Sequence, residues 1–309
     1  MRIVYMGTPD FAVPPLIRLK EEGHDISMVI TQPDKPRDRG KKILPPPVKV
    51  QAESYGIQVC QPQSNKEILE LISNLKIISP DIIIVAAYGR LLPVELLELP
   101  RLGCVNIHAS LLPKYRGAAP IPHAILSSDT ETGVTLMYMS EGMDEGDIII
   151  KKPTPIGDKT AGQLFCELSV LGAELLIETL PSIIDGTADR IVQNRELATY
   201  APKITKEDSR LDFRQTAEAI ERRIRAMDPK PGAYTFIQGM QVKMFDAEII
   251  SHVSSGPPGF IQRVDKYGIL VSAGEGDLLI KRIKAPGKQT MDVSEYIKGN
   301  KIEIGSVLS

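Results

Sequence analysis

Three groups that together can move an acyl group onto an amine occur along this 309-residue chain: an amide, an imidazole and a carboxylate. Asn106 and His108 stand two positions apart in Val105-Asn106-Ile107-His108-Ala109-Ser110-Leu111-Leu112-Pro113, and Asp144 follows in Gly142-Met143-Asp144-Glu145-Gly146. Attack of an amine on a carbonyl creates a negative oxygen that needs a hydrogen-bond donor, and a proton that must leave the nitrogen. The Asn106 carboxamide or a charged His108 can supply the donor, and Asp144 can carry the proton. Taken singly, each residue has a structural explanation: a hydrogen-bonded histidine at a strand end, an aspartate in a turn, an asparagine capping a loop. The combination is what points to chemistry.

The elements that must position these groups are legible locally. Residues 103–108 read as a short strand, on which successive side chains point to opposite faces. Cys104, Asn106 and His108 therefore share one face, while Val105 and Ile107 anchor the other. Pro113 cannot donate to a ladder, so the chain has left the strand by the Ser110–Pro113 segment. Ligands of open α/β sheets gather just beyond the carboxyl ends of strands, which is where His108 falls. Asp144 follows the strand-like run 134–139 and precedes Ile148-Ile149-Ile150. It is expected on a loop at a strand end, within reach of His108.

Strand-like runs at 2–6, 26–31, 57–60, 82–87, 103–108 and 134–139 alternate with helix-like segments such as Pro14 to Glu22 and Lys66 to Leu75. The run 82–87 is continuously apolar, as expected of a strand buried on both faces. The expected fold class is α/β: a mostly parallel, Rossmann-like sheet with helices on both sides. A long helix from Thr160 to Asp185, stopped by Gly186, closes it. The turn Gly7-Thr8-Pro9-Asp10 lacks the G-x-G-x-x-G pattern, and no P-loop occurs, so hydride and nucleotide chemistry are not expected. A polar, irregular stretch then leads to one helix, Thr216 to Met227, and short strand-like runs at 233–237, 242–250, 259–264, 268–273 and 277–283. Glycines and prolines punctuate them in the manner of a small β-barrel. The expected organisation is a catalytic domain over 1–189, a linker over 190–208 and a smaller domain over 209–309.

Cys60, Cys104 and Cys166 are odd in number and far apart, and the four histidines show no pair at zinc-site spacing. No disulfide framework and no metal are expected, in keeping with a reducing compartment. The chain opens on a strand rather than a leader, and its apolar runs are too short to cross a bilayer. A cytoplasmic monomer with no membrane partner is expected. A net charge of −2 is not that of a general polyanion binder. Residues 209–309 carry +3 and the remainder −5, so any nucleic-acid contact must be local. The most basic stretch, Gln32 to Lys42, holds Lys35, Arg37, Arg39, Lys41 and Lys42 against two aspartates. Such cations can neutralise phosphates, although their spacing alone also fits a solvated loop.

The segment Asn106-Ile-His108-Ala-Ser110-Leu-Leu-Pro113-Lys-Tyr-Arg116-Gly117-Ala-Ala-Pro120 resembles the signature of the 10-formyltetrahydrofolate-dependent formyltransferases, and Asp144 falls where that family carries its carboxylate. Gly7-Thr8-Pro9-Asp10-Phe11-Ala12, Thr31 to Pro36, Arg39 to Lys42, Ala87-Tyr88-Gly89 and Lys203 to Asp208 are similar to the tRNA-formylating branch, and the likeness spans nearly the whole chain. It implies transfer of formyl from 10-formyltetrahydrofolate to the free amine of methionine on initiator tRNA, for translation initiation. It also implies catalysis by Asn106, His108 and Asp144, and an OB-like C-terminal domain that faces tRNA. Folate, the cosubstrate, would lie against Ser110, Leu111, Leu112 and Pro113, with Tyr88 and Gly89 in the wall. Lys35, Arg37, Arg39, Lys41 and Lys42 would grip the tRNA, with Arg39 probing the end of the acceptor stem and Lys206 near the aminoacyl end. Arg116 is left between folate carboxylates and a phosphate. The alternative is a nucleotide-amino-sugar formyltransferase with the same three catalytic groups, against which the basic loop and Lys203 to Asp208 argue. A tRNA-binding module without turnover is the non-enzyme alternative.

Overall fold

A computed structural model describes residues 1–37 and 42–308 of the chain; Arg39 and Lys41 of the basic loop lie outside the described residues. Two compact units emerge. One comprises residues 1–120, 131–155 and 165–202, the other residues 121–130, 156–164 and 203–309.

The first unit contains β1 (Arg2–Gly7), β2 (Asp25–Ile30), β3 (Lys35–Arg37), β4 (Lys42–Leu44), β5 (Val59–Cys60), β6 (Ile82–Ala86), β7 (Cys104–His108), β8 (Glu131–Tyr138) and β9 (Ile148–Pro155). The main sheet runs β5-β2-β1-β6-β7-β8-β9. The strands from β5 to β7 are parallel, and β8 and β9 add antiparallel to that edge. This is the mostly parallel α/β sheet expected. Strand order reverses between β1 and β6, which makes the carboxyl ends of β1, β6 and β7 the place for a ligand crevice. The expected strand at 57–60 contracts to the two residues of β5, because only Val59 and Cys60 pair with β2.

The helices of the chain up to residue 184 are α1 (Val13–Glu21), α2 (Pro47–Ser54), α3 (Asn65–Ile78), α4 (Val94–Leu97), α5 (Pro120–Leu126) and α6 (Ala161–Ile184). The hydroxyl of Ser64 caps α3 by accepting from the Glu67 amide, and Glu67 accepts in return from the Gln63 amide. All five residues of β6 and of β7 are buried, because layers cover both faces of the sheet. On one face Cys104 packs with Val85, Leu96 and Tyr88. On the other, a Cβ on Gly172 of α6 would stand 2.7 Å from Ile107 Cγ2. The alternation of β7 is thereby fixed: Ile107 meets the helix, and Asn106 and His108 face the other way. β3 and β4 form a separate antiparallel ribbon that pairs Arg37 with Lys42 and leaves Ile43 69% exposed.

The second unit holds α7 (Ala217–Met227), β10 (Ala233–Ile237), β11 (Met240–Ser251), β12 (Ile261–Asp265), β13 (Gly268–Ser272), β14 (Asp277–Lys284), β15 (Met291–Asp292) and α8 (Val293–Tyr296). Its antiparallel sheet runs β10-β11-β14-β13-β12, with β15 on β14. β12, β13 and β14 form a meander and β11 lies beside β14, a Greek-key order. Val242, Met244, Ile269, Val271, Leu278, Ile280 and Ile283 are buried here, along with Ile220, Ile224 and Met227 of α7.

Candidate active site

The sequence brings Asn106 and His108 to the last residues of β7, opposite Met137 and Thr135 of β8. Both are nearly buried, with relative exposures of 8% and 6%. His108 Nε2 lies 2.9 Å from the Tyr115 carbonyl oxygen. A carbonyl only accepts, so Nε2 carries the proton there and Nδ1 is the nitrogen left for chemistry. Asp144 Oδ2 stands 3.6 Å from Nδ1, ion-pair distance rather than a hydrogen bond. The same oxygen accepts from the Gly117 amide at 2.8 Å. Asp144 and His108 therefore do converge. Asn106 makes no side-chain hydrogen bond among the described residues. Its amide atoms are not among the fully buried unpaired ones, so the carboxamide reaches solvent at the end of β7, a donor and acceptor free to meet something other than the protein.

The loops that bring these groups together are held in unusual backbone shapes. Ala87, Tyr115 and Asp144, all non-glycine, adopt φ of 46°, 60° and 53°. Ala87 and Tyr115 are held against a preference of about 1–2 kcal/mol, which aspartate feels less, and such residues cluster at functional sites. Glycine is required at two neighbours. A Cβ on Gly117 (φ 114°) would stand 2.9 Å from the Ala201 carbonyl, and one on Gly146 would stand 1.8 Å from the Tyr138 carbonyl.

Thr135 of β8 is fully buried and closes the loop after β7: it donates to the Ser110 carbonyl at 2.6 Å and accepts from the Leu112 amide at 3.1 Å. Ser110 is itself fully buried, and its hydroxyl donates to the Lys114 carbonyl at 2.7 Å. Leu112 packs on Met137 and Ile148. Of the four residues expected at folate, Ser110 and Leu112 thus shape the loop from within, while Leu111 and Pro113 are half-buried at its surface. Lys151 Nζ donates to the Leu112 carbonyl at 3.0 Å.

Tyr88 and Gly89 lie just past the end of β6. Gly89 is exposed, whereas the Tyr88 side chain is buried in the core. Burial pushes the Tyr88 phenol up to about 12, and its oxygen has no partner among the described residues. Its carbonyl is held at the end of β6, accepting from Thr8 Oγ1 at 3.3 Å and Gln32 Nε2 at 3.2 Å. At the base of the basic ribbon, Asp34 accepts from Gln61 at 2.7 Å and from Lys49 at 3.0 Å, and these bonds hold its carboxyl below the usual range. Lys35 is exposed, and Arg37 and Lys42 sit opposite one another in the ribbon.

Arg116 does not face solvent. Only 3% exposed, it donates to Gln193 Oε1 from Nε at 3.1 Å and from Nη2 at 2.8 Å, and its Nη1 lies 3.6 Å from Glu145. The stretch that begins the expected 190–208 linker belongs to the first unit through residue 202. It is stitched to the catalytic loops: Arg116 N donates to Thr199 O, Ala201 N to Arg116 O, and Tyr115 N to Thr199 Oγ1. Thr135 and Gln193 are the site residues that sequence reading missed. Thr135 had a weak signal, one hydroxyl within an apolar strand, but only the β7–β8 register reveals its partners. Gln193, in polar irregular sequence, had none.

In the second unit Lys206 is exposed, its Nζ 5.6 Å from the Tyr234 ring centre, while Arg210 lies 5.8 Å from that of Phe236. Burial, then the charges of Lys284 and Lys206, lower the Lys243 ammonium. Among the described residues no group of three or more His, Cys, Asp or Glu is placed to hold a metal ion. No helix among them is long and apolar enough to cross a membrane.

Two family models match the chain: "Formyl transferase" over residues 1–180 and "Formyl transferase, C-terminal domain" over residues 203–301. A methionyl-tRNA formyltransferase of Caldanaerobacter subterraneus subsp. tengcongensis is 47% identical over 309 residues, covering 100% of both chains. Among solved structures, HypX from Aquifex aeolicus in complex with tetrahydrofolic acid superposes with a TM-score of 0.69 at 20% identity. That match covers 97% of this chain and 47% of HypX, so the chain spans about half the length of that protein. WlaRD, a sugar 3N-formyl transferase solved with dTDP and 5-N-formyl-THF, gives 0.67 at 20% identity, covering 94% of this chain and 99% of that one. Identity of this extent over the full length, on top of a buried amide and imidazole met by a half-buried carboxylate at the end of β7, places the chain in the formyl transferase family, within its methionyl-tRNA formyltransferase branch.

Proposed function

We propose that this protein transfers the formyl group of 10-formyltetrahydrofolate to the free α-amine of methionine carried by initiator tRNA, at the start of translation and in the cytoplasm. The observation that carries the chemistry is the unpartnered carboxamide of Asn106, two residues before a histidine that faces Asp144 at 3.6 Å. Full-length identity with methionyl-tRNA formyltransferases supports the acceptor.

Asn106 donates to the formyl oxygen as the amine adds and negative charge grows there; removing one such donor typically costs about 10²–10³-fold in rate. A new N–C bond forms to the methionine nitrogen, and the bond from the formyl carbon to folate N10 breaks. Asp144 and His108 Nδ1 receive the proton that the amine loses and return one to the departing N10. A proton on Nδ1 rests beside the Asp144 carboxylate, while Nε2 stays on Tyr115. No covalent enzyme intermediate is needed: the Cys104 thiol is buried, pushed up to about 12, and points at the Leu96 carbonyl.

Folate fits the crevice beyond β1, β6 and β7, with Leu111 and Pro113 as apolar surface and backbone groups at Tyr88 and Gly89 for directed bonds. The acceptor needs cations and flat apolar surface. The ribbon of β3 and β4 supplies Lys35, Arg37, Lys42 and an exposed Ile43, and Arg39 and Lys41, between these strands in sequence, serve the same role. In the second unit Lys206, Lys243 and Lys284 gather near Tyr234, a combination suited to an RNA backbone. The domain limits we assign are 1–189 for the catalytic part and 209–309 for the RNA-facing part, joined by 190–208, whose first part packs on the catalytic loops, and the protein acts as a monomer.

The test is formyl transfer from 10-formyltetrahydrofolate to methionine on initiator tRNA, beside elongator tRNA and a UDP-amino sugar. Transfer to the initiator alone supports the whole reading. Turnover of the sugar without the tRNA keeps the chemistry and overturns the acceptor.

A further inference from the structure

Behind Asp144 lies a buried side chain that touches no reacting group yet fixes the loop that carries one. Gln193 is 5% exposed. Its Nε2 donates to the carbonyls of Asp144 and Gly146, both at 2.8 Å, and its Oε1 accepts twice from Arg116. A primary amide has two donors and two acceptor sites, and here all four are used. The orientation is unambiguous, because carbonyls only accept and a guanidinium only donates.

The consequence lies in where these bonds act. Asp144 sits at φ 53°, in the left-handed region that aspartate tolerates better than most residues but that its loop still has to hold. Its carbonyl and that of the residue two further on are the groups that Gln193 grips. Arg116, held by Gln193 on one side, pairs with Glu145 at 3.6 Å on the other. Its chain neighbour Gly117 donates directly to the Asp144 carboxylate. One amide thus ties together both loops that set the distance from Asp144 to His108 Nδ1. We propose that Gln193 is a positioning residue for Asp144, acting through the loop backbone and through Arg116, and that Arg116 belongs to this support rather than to a folate carboxylate or a tRNA phosphate. This inference rests on the function proposed above.

The experiment compares the wild-type protein with Gln193→Glu and Gln193→Met, and repeats Gln193→Glu on an Asp144→Asn background. Gln193→Glu keeps size and the acceptor for Arg116 but replaces the nitrogen that carries both donors with one oxygen facing two carbonyls. Gln193→Met keeps approximate volume and removes every hydrogen bond. Displacement of a reacting group by about 1 Å costs up to about 10²-fold. Both single variants should lose roughly 10- to 100-fold in kcat, with KM for folate and tRNA within about twofold. On the Asp144→Asn background Gln193→Glu should cost less than about twofold more, because residues acting as a unit are not additive. A thermal melt and folate binding by fluorescence report the fold. Losses that multiply in the double variant, or single variants with wild-type kcat, overturn the inference. So does a Gln193→Glu loss that lies in KM, or a variant that unfolds while Gln193→Met keeps full rate. Failure of the wild-type protein to formylate tRNA is a separate result, which removes the function and not the geometry.

Discussion

Replacing Asp144 by asparagine tests the proposed proton route at its centre. The side chain keeps its size, and an amide oxygen can still accept from the Gly117 amide. What disappears is one negative charge 3.6 Å from His108 Nδ1. While Nδ1 carries no proton, that charge interacts with a neutral ring. Once Nδ1 has taken a proton it faces a cation. Two unit charges at that distance interact by about 4.6 kcal/mol at an effective dielectric constant near 20. The side chains of the pair are only 7% and 17% exposed, so salt screens little of this. Only stabilisation that grows toward the transition state raises the rate, and this one does. At about 1.4 kcal/mol per decade it amounts to a loss of roughly 10³-fold, inside the range of about 10²–10⁴ usual for a general base. The assay follows labelled formyl into charged initiator tRNA under saturating and limiting concentrations of each substrate. We expect kcat to fall about 10³-fold, with both KM values within about threefold and tRNA binding unchanged. A fall below tenfold would refute the proton route and leave Asp144 as a loop residue.

Thr135→Val keeps the shape of the side chain but strands the Ser110 carbonyl and the Leu112 amide in a buried site; two such groups cost about 2–6 kcal/mol together, which a denaturant midpoint should show along with a raised KM for folate. Tyr88→Phe removes a buried hydroxyl that has no partner, so stability should stay level or rise by about 1 kcal/mol with folate KM unchanged, and a clear destabilisation would refute the core assignment of that ring. The Cys104 thiol is pushed up to about 12 in the folded protein from an ordinary value near 9, so between those values the folded state keeps a proton that the unfolded chain has lost. Its contribution is intact below about pH 9 and declines as pH rises toward 12; Cys104→Ala should therefore flatten the fall of unfolding free energy above pH 9 by up to about 1.4 kcal/mol per pH unit, read from denaturant titrations at pH 8, 9 and 10.

Much of this architecture was legible in the sequence because the signals were local. The apolar run 82–86 could only be a strand covered on both faces, and the alternation in Cys104–His108 told which side Asn106 and His108 share. The strong stop at Gly186 placed the end of the long helix within two residues of Ile184. What sequence could not supply was register. His108 opposes Thr135 only because β8 pairs antiparallel in one of many possible alignments, so Thr135 remained an anonymous hydroxyl. Nor could sequence tell exposed polar groups from buried ones: Ser110, through the family likeness, was expected at folate, and Arg116 was left between a folate carboxylate and a phosphate. In the structure the Ser110 hydroxyl closes its own loop and Arg116 braces the chain behind Asp144. The family likeness conveyed the catalytic set but not this bracing, since an irregular polar segment around Gln193 carries no periodic pattern to read.

The way the three groups proposed to react are tethered implies a division of labour among them. The sequence alone offered either Asn106 or a charged His108 as the donor to the negative oxygen. In the structure Nε2 of His108 is committed to the Tyr115 carbonyl, and the only charge-bearing direction left to the ring is toward Asp144. A protonated ring in this position holds both of its hydrogens against the protein, so the uncommitted hydrogens of the Asn106 carboxamide are the ones available to the oxyanion. His108 and Asp144 then form a proton-holding pair and Asn106 the electrophilic element. The two functions sit on one strand but depend on different supports. Asn106 is placed by β7 itself, a central buried strand with neighbours on both sides, and needs no loop. Asp144 sits on a loop in a left-handed conformation and is held from behind by Gly117, Arg116 and Gln193. Damage to the loop supports should therefore slow proton transfer while leaving oxyanion stabilisation in place, which is why the residual rate of an Asp144 variant is the right background against which to measure any residue behind it.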